Sequence, residues 1–139
     1  MKKLSIFSLM IILCISLMSC SGTGDWSFEL PNNYEMWHIN SNDIHIKYIG
    51  DNITNGSEIP TFIKEFTYNE RYVFTRNVKD IKSNNILEEV YYILDTQEQK
   101  ICGEYNSVGE LYNGANFLGI EIPETWYRTN PDPNIYINN

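Results

Sequence analysis

Basic side chains are scarce in this chain. Ten Lys and Arg stand against eighteen Asp and Glu, which gives a formal charge of -8 at pH 7. Phosphate backbones draw most of their protein affinity from Lys and Arg, and anionic lipid headgroups attract the same residues. Nucleic acid and acidic lipid are therefore excluded as expected partners. Histidine is scarcer still, with two residues, and no Gly-x-Ser-x-Gly elbow, glycine-rich phosphate loop or His-Glu-x-x-His helix occurs. Any enzymatic reading rests on scattered side chains. Long apolar runs are missing as well. Leu4 to Met18 is interrupted by Ser5, Ser8 and Ser16, whereas a membrane-spanning helix needs about 20 apolar residues.

What is present begins at the N-terminus. Met1-Lys2-Lys3 is a basic start, Leu4 to Met18 an apolar middle and Ser19-Cys20-Ser21-Gly22 a small-residue site, the three parts of a secretory signal. Leu17-Met18-Ser19-Cys20 resembles the lipobox of bacterial lipoproteins. The resemblance implies cleavage before Cys20, lipidation of that cysteine with acyl chains such as palmitate, and a protein held on the membrane of a bacterial cell envelope, facing outside the cytoplasm. The expected division is a signal peptide over 1–19, a lipidated N-terminus and tether over 20–25, a single globular domain over 26–129 and a flexible tail over 130–139. Loss of Lys2 and Lys3 takes the formal charge from -8 to -10. Of the three cysteines, Cys14 leaves with the signal, Cys20 takes the lipid and Cys102 is left alone. No intramolecular disulfide is expected, so an ordinary core must stabilise the domain. Cys102 lies in the strand-like Lys100-Ile101-Cys102-Gly103 and reads as a small buried side chain.

Within the domain the dominant signal is strand alternation. Trp26-Ser27-Phe28-Glu29-Leu30 alternates apolar with polar and stops at Pro31, and Pro31-Asn32-Asn33 is turn chemistry. Tyr34 to Asn40 and Asp43 to Gly50 follow, joined by Ser41-Asn42. An uninterrupted ladder across that loop sets Trp37 opposite Ile46 and Ile39 opposite Ile44 as the core face, and His38 opposite His45 on the other. Asp51 to Ser57 is a polar turn around Asn55-Gly56. It departs from a calcium loop because Ile53 and Phe62 occupy ligand positions. Pro60 to Tyr68 and Arg71 to Val78 form a hairpin expected at the sheet centre. Phe62, Phe66 and Val73 share one side of it, and Ile63, Tyr72 and Phe74 the other. Lys79 to Asn85 reads as a surface loop. Val90 to Asp95 and Lys100 to Glu104 are further strands around a turn at Thr96 to Gln99. Ser107-Val108-Gly109-Glu110 is a capping box that opens a helix running to about Leu118. Its apolar stripe is Leu111, Ala115 and Leu118, and Gly119 is its stop. Trp126 and Tyr127 are expected to cover a core edge.

His38 and His45, facing each other about 5 Å apart on such a hairpin, are the natural candidates for a general base, or for weak zinc or copper binding with a carboxylate such as Asp43. Spacing indicates no third ligand, and no cofactor is expected. Glu88, Glu89 and Asp80 read as a solvated face. Ten tyrosines and three tryptophans exceed what a small core readily buries, and aromatic surface favours partner recognition.

Two patterns extend the reading. Gly24-Asp25-Trp26 with Leu30-Pro31, Tyr34 and Ile39-Asn40-Ser41 is one; Tyr91-Tyr92-Ile93-Leu94-Asp95-Thr96, then Gly103 and a helix ending near Leu118-Gly119-Ile120, is the other. Together they resemble a family of short bacterial lipoproteins of unknown function. The resemblance implies envelope location and a single domain, and transfers no catalytic residue. The expected fold is α+β and β-rich, an antiparallel meander of hairpins with one C-terminal helix packed on it. The expected function is a lipid-anchored extracytoplasmic binding module, touching the membrane through Cys20 and recognising another envelope protein. The alternative is an envelope hydrolase or metal-binding protein centred on His38 and His45.

Overall fold

The computed structural model describes residues 26–40, 43–52, 58–81, 86–129 and 136–137. The signal segment with Cys20, the Ser41-Asn42 loop, the Asn55-Gly56 turn and residues 82–85 lie outside them. Nine strands and one helix occur among the described residues: β1 (Trp26–Leu30), β2 (Tyr34–Asn40), β3 (Asp43–Tyr48), β4 (Ile63–Tyr68), β5 (Tyr72–Ile81), β6 (Ile86–Asp95), β7 (Lys100–Tyr105), α1 (Val108–Phe117), β8 (Trp126–Arg128) and β9 (Tyr136–Ile137). The fold is β-rich and antiparallel with one helix near the C-terminus, as the alternation and the capping box predict. The hairpins divide into two sheets, β1-β2-β3 and β7-β6-β5-β4-β8-β9.

Two cores follow from this division. One is shared by the two sheets, with Tyr34, Met36, Ile44 and Ile46 from the small sheet meeting Phe66 and Leu94 from the large one. The other forms on the opposite face of the large sheet, where Phe74, Tyr91, Ile93 and Trp126 pack against Leu111 and Ala115 of α1. The β4-β5-β6 centre is thus covered on both sides, as its two-sided apolar pattern requires. Trp126 belongs to the helix-side core, while Tyr127 packs on the other. β8 therefore seals the edge of both.

Bulges decide which residues face which core. Between Ile63 and Glu65 the β4–β5 ladder slips by one residue, so Ile63 joins Phe66 in the inter-sheet core instead of facing Phe74 as an unbroken ladder would have it. β5 continues to Ile81 and β6 begins at Ile86, so Lys79 to Ile81, expected in a loop, are strand. Leu118 is the C-cap of α1 and exposed. It leaves the expected stripe because the chain turns away there, and Ile120 and Ile122 pack on that core instead.

Sequence chemistry accounts for both ends of α1. Ser107 Oγ accepts from the Glu110 N–H at 3.2 Å. The Glu110 carboxylate accepts from the Asn106 N–H at 3.0 Å, one residue before the N–H expected of a capping box. At the other end Gly119 adopts φ 68°, the Ile120 N–H donates to Ala115 O at 2.8 Å and the Gly119 N–H to Asn116 O at 3.0 Å. These are the two bonds of a Schellman stop, closed by an apolar contact of Ile120 with the same core as Ala115. Gly114 has its reason in Tyr105: a Cβ at that position meets the phenol ring lying between helix and sheet. Ser107→Ala removes a cap that α1, weakened by Gly109 and Gly114, has little to replace. The expected loss is about 1 kcal/mol, read as a shift in the urea midpoint at unchanged slope.

The two sheets are tied together at one end by a polar knot. Asn32, in the left-handed region at φ 58°, donates from Nδ2 to Thr96 Oγ1 at 2.8 Å and to Glu70 O at 3.1 Å. Asparagine tolerates this conformation better than other non-glycine residues, and here it docks the β1–β2 turn onto the β4–β5 and β6–β7 turns. Arg71 closes the knot by donating from Nε and Nη2 to the Asp95 carboxylate at 2.7 to 3.1 Å. The same carboxylate accepts from the N–H groups of Gln97 and Glu98.

Candidate functional site

The histidine pair is the first candidate to place, and the ladder separates it. Asn40 pairs with Asp43 as expected, but a bulge between His38 and Asn40 shifts the remaining pairs: His38 faces Ile44, Trp37 faces His45 and Met36 faces Ile46. A one-residue slip exchanges the faces of a strand. Trp37 and Ile39, expected in the core, are consequently exposed. His38 turns toward the inner face, where its ring stacks on Trp26 with centroids 5.0 Å apart. His45 stays on the outer face with Nδ1 3.0 Å from Asp43 Oδ1. The side-by-side arrangement on which a shared metal or base rested does not form. Among the described residues no group of three or more His, Cys, Asp or Glu gathers at metal-binding distance.

The other singled-out residues also find their places. Cys102 is a free, half-buried thiol; burial and then the Asp95 charge push its pKa up, the opposite of what a nucleophilic thiolate needs. Glu88 and Glu89 point to opposite faces of β6. Glu89, expected in solvent, accepts from Arg76 Nη2 at 2.7 Å and from the Tyr91 hydroxyl at 2.9 Å. The Arg76 bond, followed by the Tyr91 bond, lowers its pKa.

Glu88 belongs to a recess that sequence reasoning missed. Its cavity of about 330 Å³ is lined by Pro60, Thr61 and Phe62 on one side and by Val90, Tyr92 and Glu104 on the other, with Asn77 at the back. Cross-strand register builds it: Asn77 pairs with Val90, and Tyr92 with Glu104, so these side chains share one face. Burial, then the Glu104 and Glu88 charges, raise the pKa of the Tyr92 phenol, which keeps it a neutral hydroxyl between two carboxylates.

The wall of the recess is held rigidly. Asn77 is buried and donates from Nδ2 to Pro60 O and Thr61 O, both at 2.9 Å. Its Oδ1 accepts from the Thr75 hydroxyl at 2.8 Å. Next in the chain, Phe62 has φ 73°, a conformation that a bulky side chain adopts at a cost of order 1 kcal/mol or more. Its carbonyl accepts from the Val78 N–H at 2.9 Å. The loop is therefore strained, and the carbonyls of Pro60, Thr61 and Phe62 are each hydrogen-bonded to β5. Polar Thr75 and Asn77, which follow Val73 on the inner face of β5, are the sequence signal that marks this wall.

A second depression lies at the open end of the β1–β2 hairpin, lined by Trp26, Ser27, Glu35, Trp37, His38 and Ile39. On its outer side Trp37 donates from Nε1 to Glu35 at 2.7 Å, and the Lys47 ammonium sits 3.8 Å from the centre of the Trp37 ring. On its inner side the buried Trp26 Nε1 and His38 Nδ1 have no hydrogen-bond partner among the described residues.

No curated protein and no solved structure shows significant similarity to the chain. Residues 31–122, which hold most of the inter-sheet core, the recess and the whole of α1, match the family described as protein of unknown function (DUF3997), and the chain belongs to that family.

Proposed function

We propose that the protein is a lipid-anchored extracytoplasmic lipoprotein whose β-rich domain is a binding module, with the Tyr92 recess as its ligand site. The anchor rests on Leu17-Met18-Ser19-Cys20 behind a lysine-led apolar segment. The binding reading is carried by one observation, the strained Phe62 turn that Asn77 fixes over a concave, partly apolar cavity. Energy stored in a preset loop favours recognition because less ordering remains to be done on association. Glu88 and Glu104 around a neutral phenol select for a positively charged or hydrogen-donating group, such as a basic side chain of another envelope protein.

Each half of the proposal has its own measurement. Cys20→Ser is expected to move the protein out of the membrane fraction, or to leave it as an unprocessed precursor, and to abolish incorporation of labelled palmitate. A variant still processed and membrane-bound shows that the anchor is something else. For the recess, capture from intact envelopes with the lipidated chain is compared with capture by the Glu88→Gln, Glu104→Gln double variant. The wild type is expected to retain a protein that the variant loses, and identical capture by both removes the recess from the function.

A further inference from the structure

Exposed apolar side chains on a protein surface are ordinary when scattered and informative when gathered. Val108, Tyr112, Phe117 and Leu118 are exposed along α1 and at its end, in the helix layer on the far face of the large sheet. Trp37 and Ile39, 37% and 48% exposed, stand together at one end of β2, and that end is where the chain leaves the domain toward its N-terminus. The ladder fixes this placement. Trp26, the first residue of β1, pairs with His38, and Ser27 pairs with Trp37. Paired backbones lie about 5 Å apart, so the exit point of the chain is flanked directly by the patch.

Chain length turns this into a constraint. Trp26 follows Cys20 by six residues, and six residues span at most about 20 Å when fully extended. If Cys20 carries lipid, as the proposed function holds, the start of β1 is kept within that distance of the bilayer surface. The end of the domain that reaches the membrane first is then the end bearing Trp26, Trp37 and Ile39. Tryptophan partitions to the headgroup level, where its ring meets apolar surface and its N–H stays in a polar layer.

Charge agrees with a lipid surface of no net charge. The chain carries -8 and is repelled by anionic headgroups, yet at this end the negative Glu35 is paired across the ladder with the positive Lys47. Both contact Trp37. Glu29, opposite Glu35, and Asp43 leave this face without a cationic excess, so nothing draws it to anionic headgroups, and the Glu35 and Lys47 contacts hold the Trp37 ring in one orientation. We propose that the outer face of the small sheet at Trp37 and Ile39 is a membrane-contact surface that seats at the headgroup level of a zwitterionic bilayer, so that the lipid anchor and the patch together orient the domain, while Trp26 stays packed on the inter-sheet core. This rests on the lipid-anchor reading and adds a surface to it.

The test uses the full lipidated chain bound to phosphatidylcholine vesicles whose acyl chains carry bromine near the headgroup. Bromine quenches tryptophans that reach its depth. Trp126 is buried in the helix-side core and is expected to be silent. The expected result is a loss of fluorescence on brominated vesicles that is largely abolished in Trp37→Phe and reduced in Ile39→Asp, with near-ultraviolet circular dichroism of the Ile39→Asp variant unchanged. Protein that floats with the vesicles but is not quenched overturns the contact surface while leaving the anchor standing, and assigns the patch to another occupant. Protein that does not float with the vesicles overturns both.

Discussion

Phe66→Ala is expected to cost about 3 to 5 kcal/mol, the range for deleting a fully buried aromatic side chain and leaving a cavity. Phe66 is completely buried in β4, at the middle of the large sheet and on the face that meets the small one. Its ring packs edge-on against Phe28 at 5.3 Å and stacked on Tyr127 at 5.2 Å. Tyr68 completes the cluster at 6.2 Å. Aromatic pairs of this kind contribute about 0.5 to 1.5 kcal/mol beyond the area they bury. The site cannot collapse easily, because it is walled by two sheets that are tied together elsewhere, at the Asn32 knot. For a domain with a total stability of order 5 to 15 kcal/mol, the loss removes a large share, seen as an earlier urea midpoint. A cost below about 1.5 kcal/mol, the ceiling for well-tolerated core swaps, would show that the sheets do not share one core through this ring. The Tyr92 recess lies on the same face of the same sheet, so the variant is also expected to lose whatever binding the proposed site provides.

The Phe66 environment also shows how far the sequence could be read. Strand positions were legible because alternation is a local property. The hairpin turns at Pro31 to Asn33 and at Asn69-Glu70, the capping box and the Gly119 stop were legible for the same reason. What alternation does not carry is a bulge, since one inserted residue leaves both flanking patterns intact while exchanging their faces. Ile39 is such a residue between β2 and β3, and Lys64 between β4 and β5. In β2 both faces hold apolar side chains, Tyr34 and Met36 on one and Trp37 and Ile39 on the other, so hydrophobicity alone could not choose. β1 holds the information that decides. Pairing it across the Pro31-Asn32-Asn33 turn sets Leu30 opposite Tyr34 and Phe28 opposite Met36, and that face agrees with Ile44 and Ile46 only if the β2–β3 ladder slips once. The two hairpins read together required the bulge, whereas one hairpin read alone concealed it. The recess was less legible because it depends on a left-handed Phe62, and nothing local in Pro60-Thr61-Phe62 asks for that conformation. It is imposed from a distance by the Asn77 amide.

Acid is expected to weaken this fold at the two carboxylates whose folded pKa is lowered, Glu89 and Asp95, of which Asp95 is the more deeply buried. The Asp95 side chain is 3% exposed, and burial by itself pushes its pKa up. Hydrogen bonds from Arg71 and the Glu98 N–H, joined by the Arg71 charge and the Gln97 N–H, more than offset the burial and hold it below the usual carboxylate range. A carboxyl whose folded pKa is depressed contributes stability that is fully present above the unfolded value, about 3.9, and is lost as pH falls through the folded value. Asp95→Asn keeps the shape and an oxygen for the two backbone N–H groups, but it removes the charge and turns an amide donor toward a guanidinium that can only donate. The cost at pH 7 is expected to be about 2 to 3 kcal/mol, the range for losing a charged hydrogen-bond partner in a pair whose other member is partly solvated. The variant no longer titrates at this position, so the stability gap between it and the wild type is expected to be full at neutral pH and to narrow below about pH 4. Urea unfolding of both proteins at several pH values reads that gap directly. A gap independent of pH would mean that the Asp95 charge contributes nothing, and that the turn depends on the shape of the side chain alone. Because Arg71 and Thr96 belong to the same knot that docks Asn32, the variant is also expected to loosen the small sheet from the large one. Hydrogen exchange should then rise in β1 and β2 before it rises in β5 and β6.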